Sequence, residues 1–161
     1  MATGTTSTDR PLTEGERALA RSMFGDAISY DGVEIRRRKW WPFQPRKVVM
    51  SPMGHIHVHP KGPLWSDDYS RADINLQALF IHEMTHVWQC QANGRWYLPL
   101  RRHPFCRYDY AIKPGQKFEA YGLEQQGDIM RHAFLVARGR PVRGLPTLEQ
   151  YRSIIPFAMS V

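Results

Sequence analysis

The sequence predicts an α+β fold, and three observations lead to that prediction. A long helix is indicated over 73–93, where apolar residues recur at helical spacing with no internal Pro or Gly. A second helix is indicated over about 118–138, closed by Gly139. Between positions 33 and 59, three short runs have the composition and bounding turns of strands. The sequence therefore predicts helices packed beside a small sheet.

The N-terminal part of the chain divides into a tail and a short helix. Residues 1–10 are polar and rich in Thr, which predicts a disordered tail that is neither a signal peptide nor a membrane anchor. Thr13 and Glu16 have the spacing of a capping box. That box predicts a helix that runs to Met23 or Phe24, before Gly25.

The remaining elements follow in chain order. Strands are predicted over 33–39, 47–50 and 55–59, a long ordered loop over 94–116, and a terminal helix over 147–154. With 161 residues and 42% hydrophobic content, the chain can bury one core without disulfides. We therefore expect a single domain over 11–161, with Cys90 and Cys106 as reduced thiols.

The most informative stretch is His-Glu-Met-Thr-His at positions 82–86, inside the first long helix. His82 and His86 are four residues apart, so they lie on one helical face and can bind one tetrahedral zinc ion. Glu83 is too far round the helix to ligate easily, but it can reach a water at the open zinc position. It is therefore the natural general base for hydrolysis. The alternative is an amphipathic helix with two buried, hydrogen-bonded histidines.

A hydrolytic zinc site needs a third protein ligand, and Glu124 is the best candidate. Asp128 follows one helical turn later and could accept the free ring N–H of a ligand histidine. His103 and Cys90 remain alternative third ligands. His132 is eight residues beyond Glu124, roughly 12 Å along a helix axis, and is better interpreted as a packed or surface histidine.

These residues resemble a known group of enzymes. The motif at 82–86 followed by Glu124 and Asp128 resembles the ligand layout of gluzincin zinc metallopeptidases. More closely, the stretches 12–16, 81–89, 108–110 and 121–126 resemble bacterial Vgr-related proteins and the metallopeptidase domain of extracellular contractile injection systems. The resemblance covers roughly residues 11–138. One departure from thermolysin-like proteins is the long gap over 87–123, which implies a sizeable insertion.

The resemblance implies a small zincin-like domain, with a short antiparallel sheet packed beside a zinc-binding helix pair. It implies a zinc metallopeptidase that acts on a peptide or protein substrate. In this reading His82, His86 and Glu124 hold Zn²⁺, Asp128 orients a ligand histidine, and Glu83 is the catalytic base.

Candidates for a donor to the developing oxyanion lie in the loop between the two ligand-bearing helices. They are Tyr108, Tyr110 and His103, and we assign the catalytic role to Tyr110. In related folds an edge strand beside the site pairs with extended peptide, and 55–60 is the candidate here.

The alternating residues His55, His57 and His59 share one face of that strand. Spread over roughly 13 Å, they cannot all bind one ion. We expect an exposed histidine face from which one residue at most approaches the zinc.

The charge of the chain suggests an alternative class of function. Net charge is +7 with a pI near 9.7, and the basic cluster 36–39 is followed by the aromatic run 40–43. Basic and aromatic residues together can bind nucleic acid, but the charge is spread over many elements and no nucleic-acid motif accompanies it. An acidic partner or substrate is therefore favoured over nucleic acid.

No run is long and apolar enough for a transmembrane span, so we expect no membrane partner and a cytoplasmic protein as encoded. The resemblance allows export by a contractile apparatus. It also leaves open a zinc-binding structural or adaptor protein of a secretion or injection apparatus with little catalysis.

Overall fold

The computed structural model describes residues 9–103 and 105–161. The strands are β1 (Arg10–Pro11), β2 (Glu34–Arg36), β3 (Val49–Met50) and β4 (Ile56–Val58). The α-helices are α1 (Glu14–Phe24), α2 (Ile74–Asn93), α3 (Tyr97–Arg101), α4 (Leu123–Ala137) and α5 (Leu148–Ile154). The predicted tail over 1–10 lies mostly outside the described residues, and its last residue belongs to β1. The α+β prediction is confirmed.

The four strands form one mixed sheet with the order β1-β2-β4-β3. β1 pairs antiparallel with β2 and β3 pairs antiparallel with β4, but β2 and β4 run parallel, with Ile35 opposite Ile56. The prediction of a purely antiparallel sheet was therefore wrong. The reason is that the chain leaves β2, forms β3 at the edge, and returns to place β4 between them.

The strand predicted over 55–59 is an inner strand. β4 lies between β2 and β3, so the prediction that 55–60 is the edge strand beside the site was wrong, and β3 holds that edge. The expected exposed histidine face is also wrong, because His57 is only 4% exposed and meets the Trp40 ring edge-on. Burial, together with the nearby charge of Arg36, lowers the pKa of His57 to about 4. His57 is thus a neutral core residue.

The predicted capping box forms and ties α1 to the rest of the fold. Thr13 accepts a hydrogen bond from the Glu16 amide, and the Glu16 carboxylate accepts one from the Thr13 amide. The fully buried Glu16 carboxylate also accepts two bonds from the Arg10 guanidinium and one from the Tyr69 amide. One carboxylate therefore joins β1, α1 and the 3-10 turn that precedes α2.

The long helix α2 is the centre of the domain. Asp73 caps its N-terminus by accepting bonds from two backbone amides, and Gly94, with φ of 94°, follows its last residue, as the sequence predicted. Ala78, Ile81 and Val87 are 0% exposed because α2 packs against α1, α3, α4 and the sheet. Residues 82–86 therefore lie in buried, regular helix.

The second predicted helix, which carries Glu124, starts later than expected. Residues 118–120 form a 3-10 turn, Gly122 has extended backbone, and α4 begins at Leu123 rather than at Phe118. Glu124 therefore lies in the first turn of α4, where the helix dipole favours a carboxylate.

The structure adds one helix to the loop predicted over 94–116. α3 contains Pro99, but this proline lies in the first turn, where a backbone N–H has no helical partner. The terminal helix is confirmed as α5, with Thr147 and Gln150 forming its capping box. Within the described residues, no helix is long and apolar enough to cross a membrane.

Candidate metal centre

Three side-chain atoms from α2 and α4 converge on one point. His82 Nε2 lies 3.1 Å from His86 Nε2 and 3.2 Å from Glu124 Oε2, and His86 Nε2 lies 3.3 Å from the same carboxylate oxygen. All three residues are at most 6% exposed. The structure thus brings together the two histidines and the third residue that the sequence proposed as metal ligands.

A chain of amides determines which ring nitrogen of His86 carries the proton. Gln126 donates to the Tyr121 carbonyl, so its side-chain oxygen accepts from Gln89. Gln89 donates as well to the Leu123 carbonyl, and its own oxygen therefore faces His86 Nδ1 at 2.8 Å. Because that oxygen can only accept, His86 Nδ1 carries the proton and Nε2 presents its lone pair.

His82 is held in the same way by a carboxylate. Its Nδ1 lies 3.0 Å from Asp128 Oδ1, one turn beyond Glu124 on α4, as the sequence predicted. Nδ1 donates to Asp128, and Nε2 points at the other two ligand atoms. Three acceptors thus face one another at hydrogen-bond distance with no proton assigned among them. The lone pairs of these three atoms repel one another unless a cation lies between them.

A proton can partly take the place of that cation. Burial opposes the charge of His82, but hydrogen bonds to Asp128 and Glu124 outweigh burial and raise the pKa of His82 to about 9. Burial likewise opposes the charge of Glu124, yet both histidines and Arg102 hold the pKa of its carboxyl well below the usual range. The three converging side chains therefore favour a positive charge at the point between them.

Arg102 lies beside the second oxygen of Glu124. Its Nε is 3.1 Å from Glu124 Oε1, but that oxygen makes no well-aligned hydrogen bond, so Arg102 acts mainly through its charge. Burial opposes that charge, but the carboxylates of Glu124 and Glu83 raise the pKa of the guanidinium. The Tyr108 hydroxyl lies near Arg102, and burial together with the nearby Glu124 raises the pKa of that hydroxyl.

The proposed base, Glu83, is buried and oriented by a residue from the end of β3. Ser51 Oγ donates to Glu83 Oε2 at 2.7 Å, and the two residues are 1% and 5% exposed. The other carboxylate oxygen forms no hydrogen bond with the described residues and is not fully buried. Glu83 thus keeps one oxygen for a further partner.

Close packing of α4 on α2 depends on Gly127. A β-carbon there would lie 2.7–2.8 Å from atoms of the His82 ring, closer than real contacts allow. The absence of a side chain at this helical position is therefore what lets the His82 ring fit between the helices.

The alternative third ligands lie elsewhere among the described residues. His103 is exposed and its Nδ1 accepts from the Phe105 amide at 3.2 Å. Cys90 is buried beside Gly54. Neither belongs to the convergent group of donors that contains Glu124.

The two tyrosines proposed as oxyanion donors have different surroundings. The Tyr110 hydroxyl lies 2.8 Å from His132 Nδ1 and 2.7 Å from the Tyr151 hydroxyl. Tyr108 is half exposed and lies against Arg102, next to Glu124. His132 is a packed, half-buried residue, in agreement with the sequence interpretation.

Sequence reasoning did not identify Ser51, Arg102, Gln89 or Gly127 as parts of the site. Gln89 lies three residues after His86, a spacing that could have indicated a helical contact. Ser51 and Arg102 are distant in sequence from Glu83 and Glu124, and only the fold brings them close.

The fold and site define an α+β protein with a buried His-His-Glu centre, suited to a metal ion, between two packed helices. No protein-family model matches the chain. An alignment 135 residues long, which covers 78% of this chain, shows 41% identity to the type VI secretion system spike protein VgrG2b of Pseudomonas aeruginosa. The matched stretch spans 13% of that spike protein.

The solved effector domain of Pseudomonas aeruginosa VgrG2b has the same fold. It aligns with a TM-score of 0.73 and 36% identity, over 89% of this chain and 80% of that one. The chain therefore belongs to the family of the VgrG2b effector domain.

Proposed function

We propose that the protein is a zinc-dependent peptidase whose ligands are His82, His86 and Glu124. The observation that carries this proposal is the spacing of the three ligand atoms, 3.1–3.3 Å apart with their lone pairs converging. Ligands about 2.0–2.1 Å from a tetrahedral zinc ion are about 3.3 Å from one another. Two imidazoles and one carboxylate, with a position left for water or substrate, are also the ligand set of hydrolytic zinc sites.

Zinc bound at this centre would polarise a peptide carbonyl and make water more acidic. The residues of the chain supply the proton transfer. Glu83, oriented by Ser51, takes a proton from the attacking water and delivers it to the leaving amine. Asp128 and Gln89 accept from Nδ1 of the two histidines, so Nε2 of each ring faces the metal position.

The donors nearest Glu124 are the best candidates to stabilise the developing oxyanion. Arg102 and Tyr108 both lie near that carboxylate. The Tyr110 hydroxyl already contacts His132 and Tyr151, which supports a structural role for it. We therefore assign the catalytic donor to Tyr108 with Arg102 in preference to Tyr110.

The similarity to a domain of a secretion spike protein supports a second part of the proposal. VgrG2b is a type VI secretion system spike protein, and its matched structure is an effector domain. By this similarity, the protein acts as an effector associated with a secretion apparatus. The spike function itself is not transferred, because the chain matches only 13% of VgrG2b.

The proposal is tested by incubating purified protein with a complex peptide mixture and identifying new termini by mass spectrometry. Zinc-loaded wild type is expected to generate new termini, while zinc-depleted protein and Glu83→Gln are not. Glu119→Gln, at an exposed carboxylate, is the matched control and should cleave like wild type. Cleavage that survives in Glu83→Gln would contradict the mechanism. A folded, zinc-loaded wild type that cuts nothing would favour an adaptor protein.

A further inference from the structure

A groove of about 480 Å³ lies between the edge strand and the loop that follows α3. One wall comes from the loop before β3 and from β3 itself, and the other comes from Arg102, His103, Cys106 and Tyr108. We call it the β3 groove and use six of its residues below: Trp41, Pro45, Val48, Met50, Arg102 and Tyr108. The first four make one wall largely apolar.

The β3 groove adjoins the candidate metal centre on both walls. Met50 directly precedes Ser51, whose hydroxyl binds Glu83. On the other wall, Arg102 lies 3.1 Å from the Glu124 carboxylate. A molecule in the groove is therefore separated from the proposed third ligand by the Arg102 side chain, and it lies beside the strand that leads into Ser51.

The apolar wall is held firmly in place. Gln44 is 3% exposed, and its side-chain oxygen accepts from the Trp40 amide at 2.8 Å. Its side-chain nitrogen donates to the carbonyls of Val48 and His57, which fastens the loop to β4. These hydrogen bonds join the loop to the sheet, and Trp41 in the same loop is 42% exposed. The exposed aromatic surface is thus part of a fixed binding wall.

The two segments that supply the walls contain basic residues and no acidic ones, and among the basic residues Arg102 itself lines the groove. The segment 39–48 contains Lys39, Arg46 and Lys47 without Asp or Glu, and the segment 101–108 contains Arg101, Arg102 and Arg107 without Asp or Glu. Of these six, only Arg102 forms an ion pair within the described residues. A ligand with negative charge on either side of an apolar group matches this arrangement.

We infer that the β3 groove binds an extended peptide that places a large apolar side chain against Trp41 and flanks it with Asp or Glu residues. β3 is the last strand of the sheet on this side, and an edge strand can pair with extended peptide. That the peptide bond beside this side chain is the one cut rests on the proposed function. The groove thus defines the substrate class of the same site.

Binding is measured by fluorescence polarisation with labelled peptides and the Glu83→Gln protein, which is not expected to cleave them. The probe is acetyl-Asp-Asp-Ala-Phe-Ala-Asp-Asp, compared with versions in which Phe becomes Ala or every Asp becomes Lys. We expect each change to weaken binding by about tenfold or more. The first removes the apolar side chain that contacts Trp41, and the second removes the negative charges that complement the basic residues. Raising the salt concentration should weaken only the probes that contain Asp.

Substitutions test whether the peptides bind in the β3 groove. Trp41→Ala should weaken binding of the Phe probe by about tenfold, and the double variant Arg46→Glu, Lys47→Glu should weaken every acidic probe. Trp96→Ala and Arg143→Glu are matched controls, since both residues are exposed and lie away from the groove. They should bind like the parent protein.

The outcomes separate the inference from the proposed function. Selective binding lost in Trp41→Ala, with no cleavage by wild type, supports the groove and contradicts the peptidase. Cleavage of all probes at equal rates, with no effect of Trp41→Ala, supports the peptidase and overturns the groove. Tighter binding of a single-stranded DNA oligomer than of the Phe probe, also lost in Trp41→Ala, overturns the inference in favour of nucleic acid.

Discussion

The ring of His82 fits against the bare backbone of Gly127, where a β-carbon would come within 2.7–2.8 Å of three ring atoms. This contact joins the motif helix α2 to α4 at the point where both carry proposed zinc ligands. The position of the His82 ring thus depends on a glycine that takes no direct part in ligation.

Gly127→Ala is therefore expected to weaken zinc binding. Alanine favours a helix by about 1 kcal/mol over glycine, but overpacking of a buried site costs about 1–3 kcal/mol. Displacement of His82 should lower zinc affinity by about tenfold or more. Affinity is measured by competition with a chelating dye, and thermal unfolding of zinc-free protein reports on the fold. Unchanged zinc affinity in the variant would contradict the packing argument.

Ser51→Ala is expected to lower turnover by about tenfold without loss of zinc, because the serine positions the base but does not ligate. Glu83→Gln removes the base and should lower turnover by about 10² or more. In the Glu83→Gln background, Ser51→Ala should have no further effect.

Ser153→Ala, which removes an exposed hydroxyl on α5, is the matched control and should retain full activity. Additive losses from the two active-site variants would show that Ser51 acts independently of Glu83. Zinc content of each variant is measured beside the rates.

Asp128→Asn is expected to lower zinc affinity by about 10- to 100-fold, because a neutral amide replaces the carboxylate that accepts from His82 Nδ1. Glu149→Gln, at an exposed carboxylate on α5, serves as control. Isothermal titration calorimetry measures the zinc affinity of Asp128→Asn and of Glu149→Gln. Equal zinc affinities of the two variants would show that Asp128 does not contribute to zinc binding.

Zinc binding is expected to release about one proton per ion near pH 7.5, because the pKa of His82 in the metal-free protein is raised to about 9. Zinc affinity depends on pH because zinc and a proton compete for His82 Nε2. Zinc affinity should rise about tenfold per pH unit as pH increases towards 9 and level off above it. Conversely, the stability that protonated His82 gives the metal-free fold should be lost as pH rises through about 9.

Titrations in two buffers of different ionisation enthalpy measure the proton release. No release at pH 7.5 would mean that His82 is already neutral in the metal-free protein.

The elements with strong local signals could be predicted from the sequence. Asp73 and Gly94 bound α2, the Thr13 box starts α1, and Thr147 starts α5, because capping depends on residues a few positions apart. The pairing of the motif histidines with Glu124 was predicted from the need of a hydrolytic zinc site for a third ligand and from the resemblance to gluzincins. Helical spacing added Asp128 on the same face as Glu124.

The remainder depends on contacts between distant segments. The parallel pairing of β2 with β4 buries His57, although alternation alone suggested an exposed face. Pro99 favoured the prediction of a loop, but it lies in α3. The residue that follows α3 is Arg102, which lies beside Glu124. No local pattern reports such long-range neighbours.

Zinc K-edge X-ray absorption on the purified, zinc-loaded protein tests the central claim most directly. The account predicts one zinc per chain with nitrogen and oxygen ligands at about 2.0–2.1 Å, imidazole scattering from two histidines, and no sulfur. Glu124→Ala should lose zinc or bind it more weakly. A sulfur ligand at about 2.3 Å, or full zinc occupancy in Glu124→Ala, would contradict the His82-His86-Glu124 centre.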